Sequence, residues 1–361
     1  MRIGLLNYAD VHNFGDVLFP LLAARELRAR LPEAEIAFIS PSGASVAGMA
    51  AERFDRAALA DFDALLLCGG EVVHRLDAML NGIYARFGHD AIARPTDLVF
   101  GWTAVAGPYK AWVGLGVPEP DDEARRAIGA AVRGLDFISV RGARSRERLI
   151  ACGAAAERVR LDRDIGWLFP RLLQGRPPPP QAAGGQPYLA VQAIAWPDTV
   201  GLADRLAAIG RRLGVGIVLL PLTTCWGDHA FIGRLYEAGR GAFTLVDHRT
   251  DPLDKLAILG GARAYIGQSM HGFVGAAAHG RPAGLLVADA DDKFRELLAG
   301  ARLDRAQAGD LAALDGLAAR LLGPCTASFR EAADEGAAAG DALFDAVASG
   351  LKWRGGRRHN G

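Results

Sequence analysis

Tyr265-Ile266-Gly267-Gln268-Ser269-Met270-His271-Gly272-Phe273, followed by Ala276-Ala277-Ala278-His279-Gly280-Arg281-Pro282, joins a short apolar β-run, a polar turn and a small-residue helix that opens on a histidine. The run Pro282-Ala283-Gly284-Leu285-Leu286-Val287 comes next and reads as another strand, so the turn lies inside a folded sheet. Strand, helix and strand in immediate succession is the unit from which parallel sheets are wound. Ser269 and His271 then sit at the carboxyl end of a strand, where open α/β sheets bind ligands. Amides at the start of the helix favour an anion there. An imidazole in that place is suited to acid–base chemistry.

The same alternation extends in both directions. Towards the N-terminus the predicted strands are 2–8, 35–40, 64–68, 111–117, 137–141 and 159–162; in the second half they are 188–194, 216–222, 243–247, 264–268 and 283–288. Helical patterns fall between them, including a stripe of Leu18, Leu21, Leu22, Leu27 and Leu31 with Pro20 expected in the first turn. Residues 171–187, with four consecutive prolines and a glycine pair, fit no regular element and read as a linker. The expected fold class is α/β, with two Rossmann-like doubly wound parallel-sheet domains facing a cleft. The first domain spans 1–170, on the acceptor side of that cleft, and the second spans 188–325. A C-terminal helix, 326–350, is expected to pack back on the first domain, and a basic tail, 351–361, to be frayed.

Composition narrows the function. With 361 residues, half of them hydrophobic and 23% charged, the chain has the apolar material for two cores. Its formal net charge is zero, so no overall field attracts nucleic acid and any anionic ligand must be held by local groups. Cys68, Cys152, Cys225 and Cys325 lie far apart, which fits small buried residues in a reducing compartment rather than a disulfide frame or a metal site. The opening residues Met1–Tyr8 read as a first strand rather than a signal peptide, no apolar run approaches membrane length, and the expected location is cytoplasmic. The tail, with Lys352, Trp353, Arg354, Arg357 and Arg358, reads as solvated or as a weak peripheral contact with an anionic membrane face.

Five further segments carry candidate chemistry. In Asn13-Phe14-Gly15-Asp16, Gly15 allows close backbone approach; Asp16 reads as the cap of the next helix or as a contact to a substrate hydroxyl or phosphate. Gly69 and Gly70 end a buried apolar strand with a tight turn. Arg141, Arg144 and Ser145 surround a strand-to-helix junction, where guanidinium forks suit carboxylate or phosphate. Asp164 stands just before the linker, and Lys293 follows the strand after the opening motif.

In order and spacing these segments resemble the polysaccharide pyruvyl transferase family. The resemblance rests on Asn13-x-Gly15-Asp16-x-Leu18, Gly69-Gly70, Gly114-Leu115-Gly116-Val117, Ser139-x-Arg141-x-x-x-Ser145, Asp164, Ser269-Met270-His271-Gly272, Gly280-x-Pro282 and Lys293. This chain has Glu71 where many members have a third glycine, Gly142 where they have an acidic residue, and Ser269 where they have arginine. The resemblance implies a GT-B-like enzyme that moves a pyruvyl group from phosphoenolpyruvate to a glycan or lipid-linked saccharide, without metal or cofactor. It implies His271 and Asp16 as catalytic residues, with Asn13, Gly15, Gly69, Gly70, Arg141, Arg144, Ser145, Asp164, Ser269, Gly272 and Lys293 binding substrate. The alternatives on the same architecture are a glycosyltransferase or epimerase using a nucleotide sugar, and a non-catalytic relative.

Overall fold

Each half of the chain winds its own parallel sheet. The computed structural model describes all residues except 46, 75, 90–93, 177–183, 288–291, 304–305, 324–325 and 359–361; of 292 and 354–358 it describes only the backbone. The chain divides into two compact units, Met1–Ile165 with Ala338–Gly361, and Gly166–Ala337.

Among the described residues, the first unit has strands β1 (Arg2–Leu6), β2 (Glu35–Ser40), β3 (Ala51–Arg53), β4 (Ala64–Cys68), β5 (Tyr109–Leu115), β6 (Phe137–Val140) and β7 (Val159–Leu161). All pair in parallel, in the order β3-β2-β1-β4-β5-β6-β7. The helices are α1 (Phe14–Arg30), α2 (Asp77–Arg86), α3 (Asp97–Phe100), α4 (Asp122–Gly134) and α5 (Ala143–Ala151). Central β4 is buried along its whole length, which is why Ala-Leu-Leu-Leu-Cys has no polar alternation. The order reverses direction between β1 and β4, making that pair the switch point of the sheet.

The second unit repeats the plan with β8 (Tyr188–Gln192), β9 (Gly216–Leu219), β10 (Phe243–Leu245), β11 (Ala264–Gly267), β12 (Ala283–Leu286) and β13 (Gln307–Ala308), in the order β10-β9-β8-β11-β12-β13. Its helices are α6 (Thr199–Leu213), α7 (Asp228–Ala238), α8 (Pro252–Gly261), α9 (Met270–Ala278), α10 (Asp292–Gly300) and α11 (Leu311–Leu322). Here the switch point lies between β8 and β11. The last helix, α12 (Thr326–Arg358), contributes to both units, with the division after Ala337.

Several elements depart from the sequence reading. Helix α1 begins at Phe14, so Pro20 lies in its second turn, where it withdraws the amide that would bond the Asp16 carbonyl. Strands β3 and β13 and helix α3, two to four residues each, are too short to show a period and went unread, as did the ten-residue α2. The tail expected to fray from 351 is helical through Arg358, with Leu351 buried among the packed residues of α12. The 3-10 helix Ile165–Leu173 occupies the first residues of the expected linker, and 177–183 lie outside the described residues.

Candidate functional site

At the first unit's switch point, four strand ends bring side chains together. Asn13 caps α1, its Oδ1 accepting from the Gly15 amide at 3.3 Å. That places Asp16 within the first turn of the helix, so the sequence reading of Asp16 as the cap is corrected: Asn13 takes that role once buried Phe14 starts the helix. Beyond β4, Gly69 and Gly70 have φ of +69° and +84°, a left-handed path that favours glycine. A side chain at Gly69 would overlap the Phe19 ring, and a Cβ at Gly70 would lie 3.1 Å from Asp16 Oδ1. The sheet contacts continue past the strands, with the Gly116 amide donating to the Gly70 carbonyl at 2.7 Å.

Arg141 follows β6 with its guanidinium enclosed. Nη1 donates to buried Asp164 Oδ2 at 2.8 Å, and Nη2 lies 3.5 Å from Glu71 Oε2. Gly116 provides the space, since a Cβ there would stand 2.9 Å from Nη2. The bulge in β5 between Trp112 and Leu115, with Gly114 at φ +64°, sets that backbone in place. The half-buried Asp16 carboxyl responds to this surrounding. Burial pushes its pKa up to about 7, against the pull of Arg141 and with a further push from Asp10. It is therefore able to hold or release a proton near neutrality.

An acidic and aromatic group adjoins it. Asp10 accepts from the Tyr84 hydroxyl at 2.8 Å and from Ser42 Oγ at 2.6 Å, and the Tyr8 hydroxyl donates to the Pro95 carbonyl. Burial, reinforced by Asp77, Asp10, Asp16 and Asp97, keeps Tyr8 protonated. His74 has a buried Nδ1 with no hydrogen-bond partner, and burial holds its pKa down against the opposing pull of Glu71 and Asp77. The sequence reading did not select Asp10, Tyr8, Tyr84 or His74. The only signal of Tyr8, Asp10 and His74 was position after a strand, which many loop residues share, and Tyr84, inside α2, had not even that.

At the second unit's switch point, Ser269 caps α9 by accepting from the Gly272 amide at 3.1 Å, and half-buried His271 stands in the first turn. Side chains at Gly267 or Gly272 would overlap the Tyr265 phenol, so both glycines are required for close packing. Lys293 is in the first turn of α10, half-buried, with its ammonium 5.3 Å from the Phe294 ring centroid.

The structure therefore gathers Asp16, Gly70, Arg141 and Asp164 in the first unit, with Asn13, Gly15 and Gly69 shaping the backbone around them. Arg144 is elsewhere: its exposed guanidinium pairs with Glu147 at 3.4 Å. Ser145 is buried and accepts from the Val117 amide at 3.0 Å. In the second unit Ser269, His271 and Gly272 share one turn. Among the described residues no group of three or more His, Cys, Asp or Glu side chains could hold a metal ion, and no helix is long and apolar enough to cross a membrane.

The polysaccharide pyruvyl transferase family matches the sequence over residues 13–287. No curated protein sequence matches the chain. Among solved structures it is similar to the UDP-GlcNAc 2-epimerase of Neisseria meningitidis bound to UDP-GlcNAc, with a TM-score of 0.63, 10% identity, and coverage of 97% of this chain and 99% of that one. It is also similar to the UDP-GlcNAc 2-epimerase of Methanocaldococcus jannaschii, with a TM-score of 0.56, 8% identity and coverage of 90% and 94%. A third likeness is to the wall teichoic acid polymerase TagF, H444N variant, with a TM-score of 0.55, 11% identity and coverage of 100% and 90%. At these identities the likeness establishes the GT-B-like fold.

Proposed function

Because this chain belongs to the polysaccharide pyruvyl transferase family, we propose that it transfers the pyruvyl group of phosphoenolpyruvate to hydroxyls of a cell-surface saccharide or its lipid-linked precursor. The observation that carries the reading is Asp16, a carboxyl tuned to about pH 7 at a sheet switch point and set beside Arg141. In this reading the first unit takes the saccharide and the second takes the donor.

His271 gives a proton to the vinyl carbon of phosphoenolpyruvate, leaving positive charge at the carbon that bears the phosphate. Asp16 accepts the proton of a sugar hydroxyl as its oxygen bonds to that carbon. The carbon–oxygen bond to phosphate then breaks, and a second hydroxyl closes the ketal while its proton leaves with phosphate. Arg141 is already engaged by Asp164 and Glu71, so its role is to position and tune Asp16. The phosphate and carboxylate fall to Lys293 and the positive end of α9.

The test is incubation of the protein with phosphoenolpyruvate and lipid-linked saccharides extracted from its own cells. Phosphate release together with a new ketal methyl signal in the saccharide is the expected result. Turnover of a nucleotide sugar, with neither of these, would replace the reading by the glycosyltransferase or epimerase one. His271→Ala should lower the pyruvyl transfer rate by about a hundredfold or more while leaving the melting transition in place.

A further inference from the structure

Beneath the 269–271 turn runs a chain of buried polar groups that no step of the proposed reaction uses. Asp228, fully buried at the start of α7, accepts through one oxygen from the Leu222 and Thr223 amides at 2.8 and 2.9 Å and from Gln192 Nε2 at 3.2 Å. Gln192, also fully buried, ends β8; its Oε1 accepts from the Gln268 amide at 3.0 Å and lies 3.5 Å from the Tyr265 hydroxyl. The Gln268 side chain then reaches the segment that follows β8. Its Oε1 accepts from the Ile194 and Ala195 amides at 2.6 and 3.2 Å, and its Nε2 donates to the Ala195 carbonyl at 2.9 Å. Tyr265 closes the set, its hydroxyl 3.5 Å from the Ser269 carbonyl.

Strand pairing does not require this. β8 and β11 already pair backbone to backbone, with Gln192 opposite Gly267, and an apolar residue would fill position 192 without a polar group to satisfy. Burying a carboxylate and an amide is unfavourable unless they hold something in one arrangement. What they hold is Gln268, next to Ser269 at the switch point and three positions before His271.

We propose that Asp228 and Gln192 are positioning residues that act through Gln268 to fix the turn that presents His271. The proposal rests on the assignment of His271 as proton donor to phosphoenolpyruvate. Gln268 is half-buried, so its substitution leaves only partly solvated amides unpaired, whereas a change at Gln192 disturbs the core.

The experiment uses the full chain with isotope-labelled histidine, the His271 resonances being identified by their loss in His271→Ala. His279, the C-cap of α9 with Nδ1 2.7 Å from the Gly275 carbonyl, reports whether the helix is intact. Gln268→Ala should move the His271 ring resonances and leave those of His279 in place. It should also lower kcat by about tenfold to a hundredfold, with the KM for phosphoenolpyruvate unchanged. Gln268→Glu, which keeps the acceptor for both amides, should restore both readouts. Gln192→Leu should reproduce the alanine result. Unmoved His271 resonances in both Gln268→Ala and Gln192→Leu would overturn the proposal, whatever happens to the rate. A displaced His271 with undiminished turnover would uphold the positioning role and overturn the catalytic reading of His271.

Discussion

A carboxyl that titrates near neutrality affects rate and stability in opposite directions. If Asp16 is the base, the rate of pyruvyl transfer rises as it loses its proton, so the acidic limb of the pH profile should have its midpoint near 7. Folding has the reverse dependence. Between about 4, where a free aspartate titrates, and about 7 the native state keeps a proton that the unfolded chain has released, so this residue's contribution to stability is full below about 4 and declines as pH rises to about 7. Asp16→Asn should abolish the limb along with the activity and remove that slope. It should also stabilise the protein at pH 8 by about 1–3 kcal/mol, as measured by urea unfolding across the pH range. The position of Asp16 was legible in the sequence from the strand that precedes it. Its environment was not, because Arg141 and Asp164 reach it only through the order of the strands. Gln192 was hidden in the same way: in Tyr-Leu-Ala-Val-Gln it looks like the end of an ordinary strand, and its partners Asp228 and Gln268 are remote in sequence.

At the scale of elements, the site depends on where strands stop. The bulge in β5 and the open backbone at Gly116 leave a slot for the Arg141 guanidinium. Gly116→Ala should push that group away from Asp164. With less positive charge nearby, Asp16 should hold its proton more tightly, so the acidic limb should move to higher pH as activity falls. A limb that stays in place would separate Arg141 from the tuning of Asp16. The long buried strands were readable as unbroken apolar runs, because both faces of β4, β8, β11 and β12 are covered. A bulge and a three-residue edge strand leave no such trace. The start of α1 was misplaced because Asn13 and Asp16 are equally good caps by residue type, and only the burial of Phe14 decides between them.

At the scale of the molecule, the first unit is assembled from both ends of the chain. Arg30, near the end of α1, pairs with Glu26 at 2.7 Å and reaches α12 through Asp341 at 3.0 Å and Asp345 at 2.7 Å. Leu343, Phe344, Val347 and Leu351 of that helix are buried. Arg30→Ala removes the cation that joins the enclosed Glu26 to Asp341 and Asp345 of α12, which should cost about 3–5 kcal/mol. Denaturation followed separately in each unit should show the loss in the first and leave the second unchanged. The division into units has a further consequence, for synthesis. The contacts within residues 166–337 are all made by one contiguous stretch of chain, whereas 1–165 must wait for 338 onward to complete theirs. At ~5–20 residues per second that wait lasts roughly 10–35 s, during which the earlier-made sheet lacks the helix that covers it. The order of completion is therefore the reverse of the order of translation, and the half of the chain made first is the one most exposed to chaperones and proteases while it is being made.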